Sequence, residues 1–218
     1  IYKIDDNDEI LKGCVKSIQM QLDIMKGLKR DSNHASRHMF ISPILLAAAS
    51  FIQNLYIHLQ KELEGDKYSG HVDCEFYLRR QLQVTSEKIA CVTEMTVDQE
   101  IKAVFAENLV ELEIMMRKTQ EWMKKAVKYE KDSYDFLYGI VTTATEWYFI
   151  LYTTEDVYST STRFYHVNLV DNANENEDEL HKQVKSVLEI LVGMLKDRVD
   201  ASNEEPAIKR RRVQEKIK

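Results

Sequence analysis

Apolar positions along the chain fall into two kinds of period. Leu11, Val15, Ile18, Leu22 and Met25 recur at steps of four and three, which predicts an amphipathic helix with a narrow stripe, ending near Gly27. A polar stretch, KRDSNHASRH, follows. Ser42-Pro43 has the form of a helix start, an N-cap hydroxyl before a first-turn proline, and opens the run ILLAAASFIQNLYIHLQKELEG. Its first half is apolar almost all round, so the expectation is a buried helix stopped near Gly65. HVDCEFYL and KIACVTEMT are short, apolar or alternating, and read as strands. From about Val97 the helical period returns, with Ile101, Val104, Phe105, Leu112 and Met116 on one face. YDFLYGIVTTATEWYFILYTT predicts two aromatic and β-branched strands joined by a tight turn near Thr143–Thr145, and TRFYHVNLV a third strand. Leu180, Val184, Val187, Leu188, Leu191, Val192, Leu195 and Val199 then mark a last amphipathic helix.

This order suits an α/β domain, a mixed sheet flanked by helices. A length of 218 residues and 44% hydrophobic content fit one domain with a real core, and two prolines with six glycines argue against a linker-rich chain. No apolar run is long enough for a membrane span, and IYKIDDNDEI lacks the basic-then-apolar pattern of a signal sequence. Cys14, Cys74 and Cys91 are scattered without metal-ligand spacing, which favours a reduced intracellular protein with core thiols. The net charge of −6 is uneven: Lys209–Lys218 carries +5, leaving −11 on the body. An acidic body is a poor general ligand for phosphate backbones, whose affinity comes from cations that displace counterions.

The candidate chemistry lies in CVTEMT. On a strand Glu94 and Thr96 share one face while Cys91, Thr93 and Met95 share the other. If HVDCEF pairs with this strand, Asp73 can sit beside Glu94, with Cys74 and Cys91 on the opposite, core face. Two carboxylates converging there could hold Mg²⁺ through oxygen ligands, and the cation could polarise a phosphodiester and ionise a water. A lysine usually completes such a site; Thr96 occupies its position, leaving Lys102 or Lys88 as the only nearby substitutes. Paired acids on neighbouring strands also occur on plain solvated sheets, so spacing alone carries little. His34 and His38 are four apart but have no third ligand near in sequence, and the aromatics from Trp147 to Tyr165 fit core packing better than base stacking.

In order along the chain, YSGHVDCEF, ACVTEMT, FAENLVEL, YGIVTTATEWYFILYT, VLEILVGMLKDRV and KRRRV resemble the Crinkler-type proteins of arbuscular mycorrhizal and other early-diverging fungi. The resemblance runs from roughly Phe40 to the C-terminus, and YGIVTTATEWYFILY is its most specific part. It implies a restriction-endonuclease-like domain of the PD-(D/E)xK superfamily. Asp73 then matches the metal-binding aspartate and Glu94 the carboxylate of the Glu-x-Lys strand, with Thr96 in the lysine position. In the helix that follows, Asn108 and Leu112 fit, while Glu107 and Glu111 replace two glutamines. A lost cation and two added anions oppose phosphate binding, so the resemblance implies a fold that has outlived its chemistry.

The expectation is therefore an N-terminal helical extension over 1–39, a restriction-endonuclease-like domain over 40–202, and a disordered basic tail over 203–218. Function is expected to be that of a nuclear effector or regulator acting by binding, with Mg²⁺ weakly held or lost. One alternative is an active Mg²⁺-dependent DNA endonuclease using Asp73, Glu94 and a displaced lysine. Another is a structural module that dimerises through the Leu11–Met25 stripe. The acidic body favours a protein partner over nucleic acid, and no membrane. Lys209, Arg210, Arg211 and Arg212 in the tail suit a nuclear import signal that contacts an importin or nucleic acid.

Overall fold

A computed structural model describes residues 2–29, 31–64, 69–79, 86–94, 101–125, 136–160, 164–170, 176–201, 208, 211 and 214–215. Helices α1 (Glu9–Met25) and α2 (His34–Ser50) lead into strands β1 (Leu55–Glu64), β2 (Ser69–Arg79) and β3 (Ser86–Glu94). Helix α3 (Ile101–Lys125) is followed by β4 (Phe136–Thr142), β5 (Glu146–Thr153), β6 (Val157–Ser159), β7 (Tyr165–His166) and helix α4 (Glu177–Ala201). Among the described residues the strands form one mixed sheet in the order β1-β2-β3-β4-β5-β6, with β7 also paired to β5. The pairs are antiparallel except β3 with β4, which run parallel. A parallel pair needs a long crossover, and α3 lies in it.

The helices occupy both faces. On one, α1, α2 and α4 close over Cys74, Phe76, Val92, Ile140, Trp147 and Phe149. On the other, α3 sets Val104, Leu112 and Met115 against Leu137, Val141, Tyr148 and Ile150. Strand β4 lies between the two layers and is buried at every position, as a central strand covered on both faces should be.

The predicted helices at both ends of the chain and the hairpin are present. Asp8 caps α1 by accepting from the amides of Ile10 and Leu11, and Lys26 closes it with a left-handed φ of 56°. The α4 stripe is buried from Leu180 to Leu195. The turn between β4 and β5 spans Thr143–Thr145, as expected. It is fixed from several sides: Trp147 Nε1 donates to the Ala144 carbonyl at 2.9 Å, and the amide of Val167 donates to the Thr145 carbonyl at 2.8 Å. Arg37, 1% exposed, reaches from α2 to donate to the Thr143 carbonyl at 2.9 Å. The stretch most specific to the family resemblance is thus a hairpin built into the core.

Three expectations fail. Helix α2 does not begin at Ser42-Pro43: Asn33 caps it by accepting from the Ser36 amide, and Pro43 lies inside it. The helix tolerates one missing hydrogen bond there because Phe40, Ile41, Ile44, Leu45 and Ala48 bury a continuous stripe across the proline. Nor does it continue to Gly65. It ends at Ser50, and after Asn54, at φ 59°, the chain turns into β1. Leu55 faces the core and Tyr56 solvent, a strand alternation that the apolar run hid. Third, a boundary at residue 39 would cut α2, whose helix runs from His34 to Ser50, and the α1 stripe packs inward on its own chain. Leu11, Val15, Ile18 and Leu22 are 0–4% exposed within the same core as α2 and α4.

In the tail, Ile208, Arg211, Gln214 and Glu215 have helical backbone, and Arg211 pairs with Glu215 at 3.6 Å, where disorder was expected. Lys209, Arg210 and Arg212 lie outside the described residues.

Candidate functional site

Strand register decides which acids can meet. Cys74 pairs with Val92 and Glu75 with Cys91, so one further step brings Asp73 level with Thr93. Glu94 follows Thr93 and so takes the alternate position of the pleat, where its Cα partner on β4 is Thr142. The expected alignment of Asp73 with Glu94, and of Cys74 with Cys91, is off by one residue. On a ladder of period two, a shift of one exchanges faces. Thr96 lies outside the described residues, and so do the residues joining β3 to α3. Lys102 is exposed at the start of α3, away from the buried face of that helix. Lys88 pairs with Tyr77 across the β2–β3 ladder.

A different polar cluster occupies the layer between the sheet and α3. Asn108 Nδ2 donates to Thr93 Oγ1 at 2.8 Å, and the Thr93 hydroxyl donates to Glu111 Oε2 at 2.8 Å. Asn108 also reaches the Ile140 carbonyl of β4 at 3.5 Å. Thr93, Asn108 and Glu111 are 0–3% exposed. Glu75, on the same pleat set as Asp73, is fully buried, while Asp73 is half-buried. Helix spacing explains the pairing: Asn108 and Glu111 are three residues apart and so share the face that meets β3.

Gly139 lets the helix come this close. A Cβ there would stand 2.0 Å from Asn108 Oδ1 and 2.9 Å from Leu112 Cδ1. No other residue leaves room for the asparagine between α3 and β4.

The cluster couples β3 and β4 to α3 through a hydroxyl, an amide and a buried carboxyl group. Glu75 and Glu111, the buried ionisable side chains here, are acids and offer a phosphodiester no cation. The groups themselves suit internal coupling: in a dry layer their hydrogen bonds fix geometry. Among the described residues no group of three or more His, Cys, Asp or Glu side chains has the arrangement of a metal site. His34 and His38 both lie on α2, His34 as its first residue.

Sequence reasoning named Asp73, Asn108 and Glu111 but missed Glu75 and Thr93. The available signal was the alternation itself: Asp73-x-Glu75 and Cys91-x-Thr93 each put two side chains on one face. No family model, curated protein or solved structure matches the chain.

Proposed function

We propose that the chain is a Crinkler-like nuclear effector or regulator, built on a degenerate restriction-endonuclease-like scaffold, that acts by binding rather than by cleavage. The mixed sheet with helices on both faces supports the scaffold. The observation that carries the loss of chemistry is Glu111. Where the resemblance implies a glutamine, this chain buries a carboxylate and ties it to Thr93 and, through it, to Asn108. The cation that could offset it, Lys102, is exposed on another side of α3. A phosphoryl group in transit needs positive charge at close range, and Glu111 supplies none.

The acidic body points to a protein partner with basic character, because opposite fields raise the encounter rate and like fields suppress nucleic acid. The run Lys209–Arg212 supplies the basic cluster for nuclear import, and nucleic-acid contact through the tail alone would be strongly salt-dependent.

Titration of the full chain with Mn²⁺ by calorimetry, alongside Asp73→Asn, tests the reading. The expected result is that no site tighter than about 1 mM depends on Asp73, since weak extracellular-type oxygen sites already reach that range. A micromolar site that Asp73→Asn removes would restore the metal-dependent nuclease.

A further inference from the structure

On the opposite face of the sheet from α3, a cleft of about 760 Å³ opens between β4–β6 and α4. Four aromatic rings are among its lining: Tyr2 and Tyr158, both partly exposed, and Tyr138 and Phe149, both nearly buried. Carboxylates enter from α4. Asp197 is held in place by the Tyr138 hydroxyl, which donates to its Oδ2 at 2.8 Å, and Asp200 lies one turn on, exposed at the mouth. Glu189, also in the wall, is engaged by the Ile4 amide at 3.0 Å and by Lys3 at 3.3 Å.

The cleft already holds one cation. Lys196 Nζ lies 4.0 Å from the centroid of the Tyr2 ring, within the range in which a ring quadrupole attracts an ammonium. The Tyr2 ring is therefore presented to a cation, here one belonging to the lining itself. The volume lies in the range of small-ligand sites, and such sites combine apolar walls with a few placed polar groups.

We propose that this cleft binds an alkylammonium group, a weakly hydrated cation with an apolar body, with the aromatic rings taking its methyl or methylene surface and Asp197 and Asp200 its charge. Lys196 competes with the ligand for the Tyr2 ring. The same chemistry is presented by a free amine such as choline and by a methylated lysine side chain on a peptide. The inference is independent of the acidic layer under α3, which lies across the sheet.

The test is calorimetric titration of the full chain with choline, with its neutral carbon isostere dimethylbutanol, and with acetyl-trimethyllysine amide. Choline should bind, and the isostere should bind at least about tenfold more weakly, since a desolvated cation–π contact contributes on that scale. Lys196→Met should tighten choline binding by about threefold or more, by freeing the Tyr2 ring and removing a like charge. Asp200→Asn, at an exposed position, should weaken it without altering the thermal midpoint. Stronger binding of acetyl-trimethyllysine amide than of choline assigns the cleft to a modified peptide, and the reverse order to a free amine. Equal binding of choline and its isostere, no binding of either cation, or weaker binding in a folded Lys196→Met chain overturns the proposal.

Discussion

A methyl group added at Gly139 of β4 would stand 2.0 Å from the buried, hydrogen-bonded Asn108 side chain and 2.9 Å from that of Leu112, both on α3. Neither can retreat without opening a packed layer, so Gly139→Ala should cost about 2–3 kcal/mol, the upper range for overpacking, measured by urea unfolding. Near-neutral behaviour would mean that α3 does not approach β4 as described. The buried thiol and phenol make a second prediction. Burial pushes the Cys14 thiol up to about 12. Tyr148 also rises to about 12, through burial first and then its hydrogen bond to Glu146. Both groups ionise earlier in the unfolded chain, which therefore holds fewer protons above pH 9, and stability falls as pH rises. For Cys14 a shift from 9.0 to about 12 makes the loss roughly 4 kcal/mol by pH 12. Unfolding followed between pH 8 and 11 should show that decline, and Cys14→Ala should flatten it.

Among the elements, α1 shows how much a periodic stripe contributes. Four aliphatic side chains, Leu11, Val15, Ile18 and Leu22, are essentially fully buried. At about 1.5–3 kcal/mol each, as an upper estimate, they account for roughly 6–12 kcal/mol, comparable with the whole stability of a domain. A chain lacking residues 1–28 should lose its cooperative thermal transition and self-associate in sedimentation. A folded monomer with an unchanged midpoint would show that α1 is dispensable. The stripe itself was legible in the sequence, as were α4 and the β4–β5 hairpin, because each repeats one period over many residues or turns at an unmistakable β-branched pair of strands. The end of α2 was not. ILLAAASFIQNLYIHL is apolar throughout, and only the positive φ at Asn54 marks where one period replaces the other. The expected pairing of the two acids failed for a narrower reason. Asp73 and Glu94 could be named from spacing, but their ladder register depends on how β2 and β3 are aligned, and one residue of slip separates them. The cation cleft left no trace along the chain, since Tyr2, Tyr138, Tyr158 and Asp197 come from four distant segments.

The whole molecule joins a sheet covered on both faces, a body of net −11 and a basic tail of +5. The proposed reading has the buried acids under α3 serving internal coupling in place of phosphate chemistry, and the acidic surface field favouring basic partners. The claim that cleavage has been lost is tested most directly by incubating supercoiled plasmid with the full chain and Mg²⁺ or Mn²⁺, beside Asp73→Ala. The account predicts that plasmid stays supercoiled with both proteins, at levels indistinguishable from metal alone. Nicking by the native chain that Asp73→Ala abolishes would contradict it.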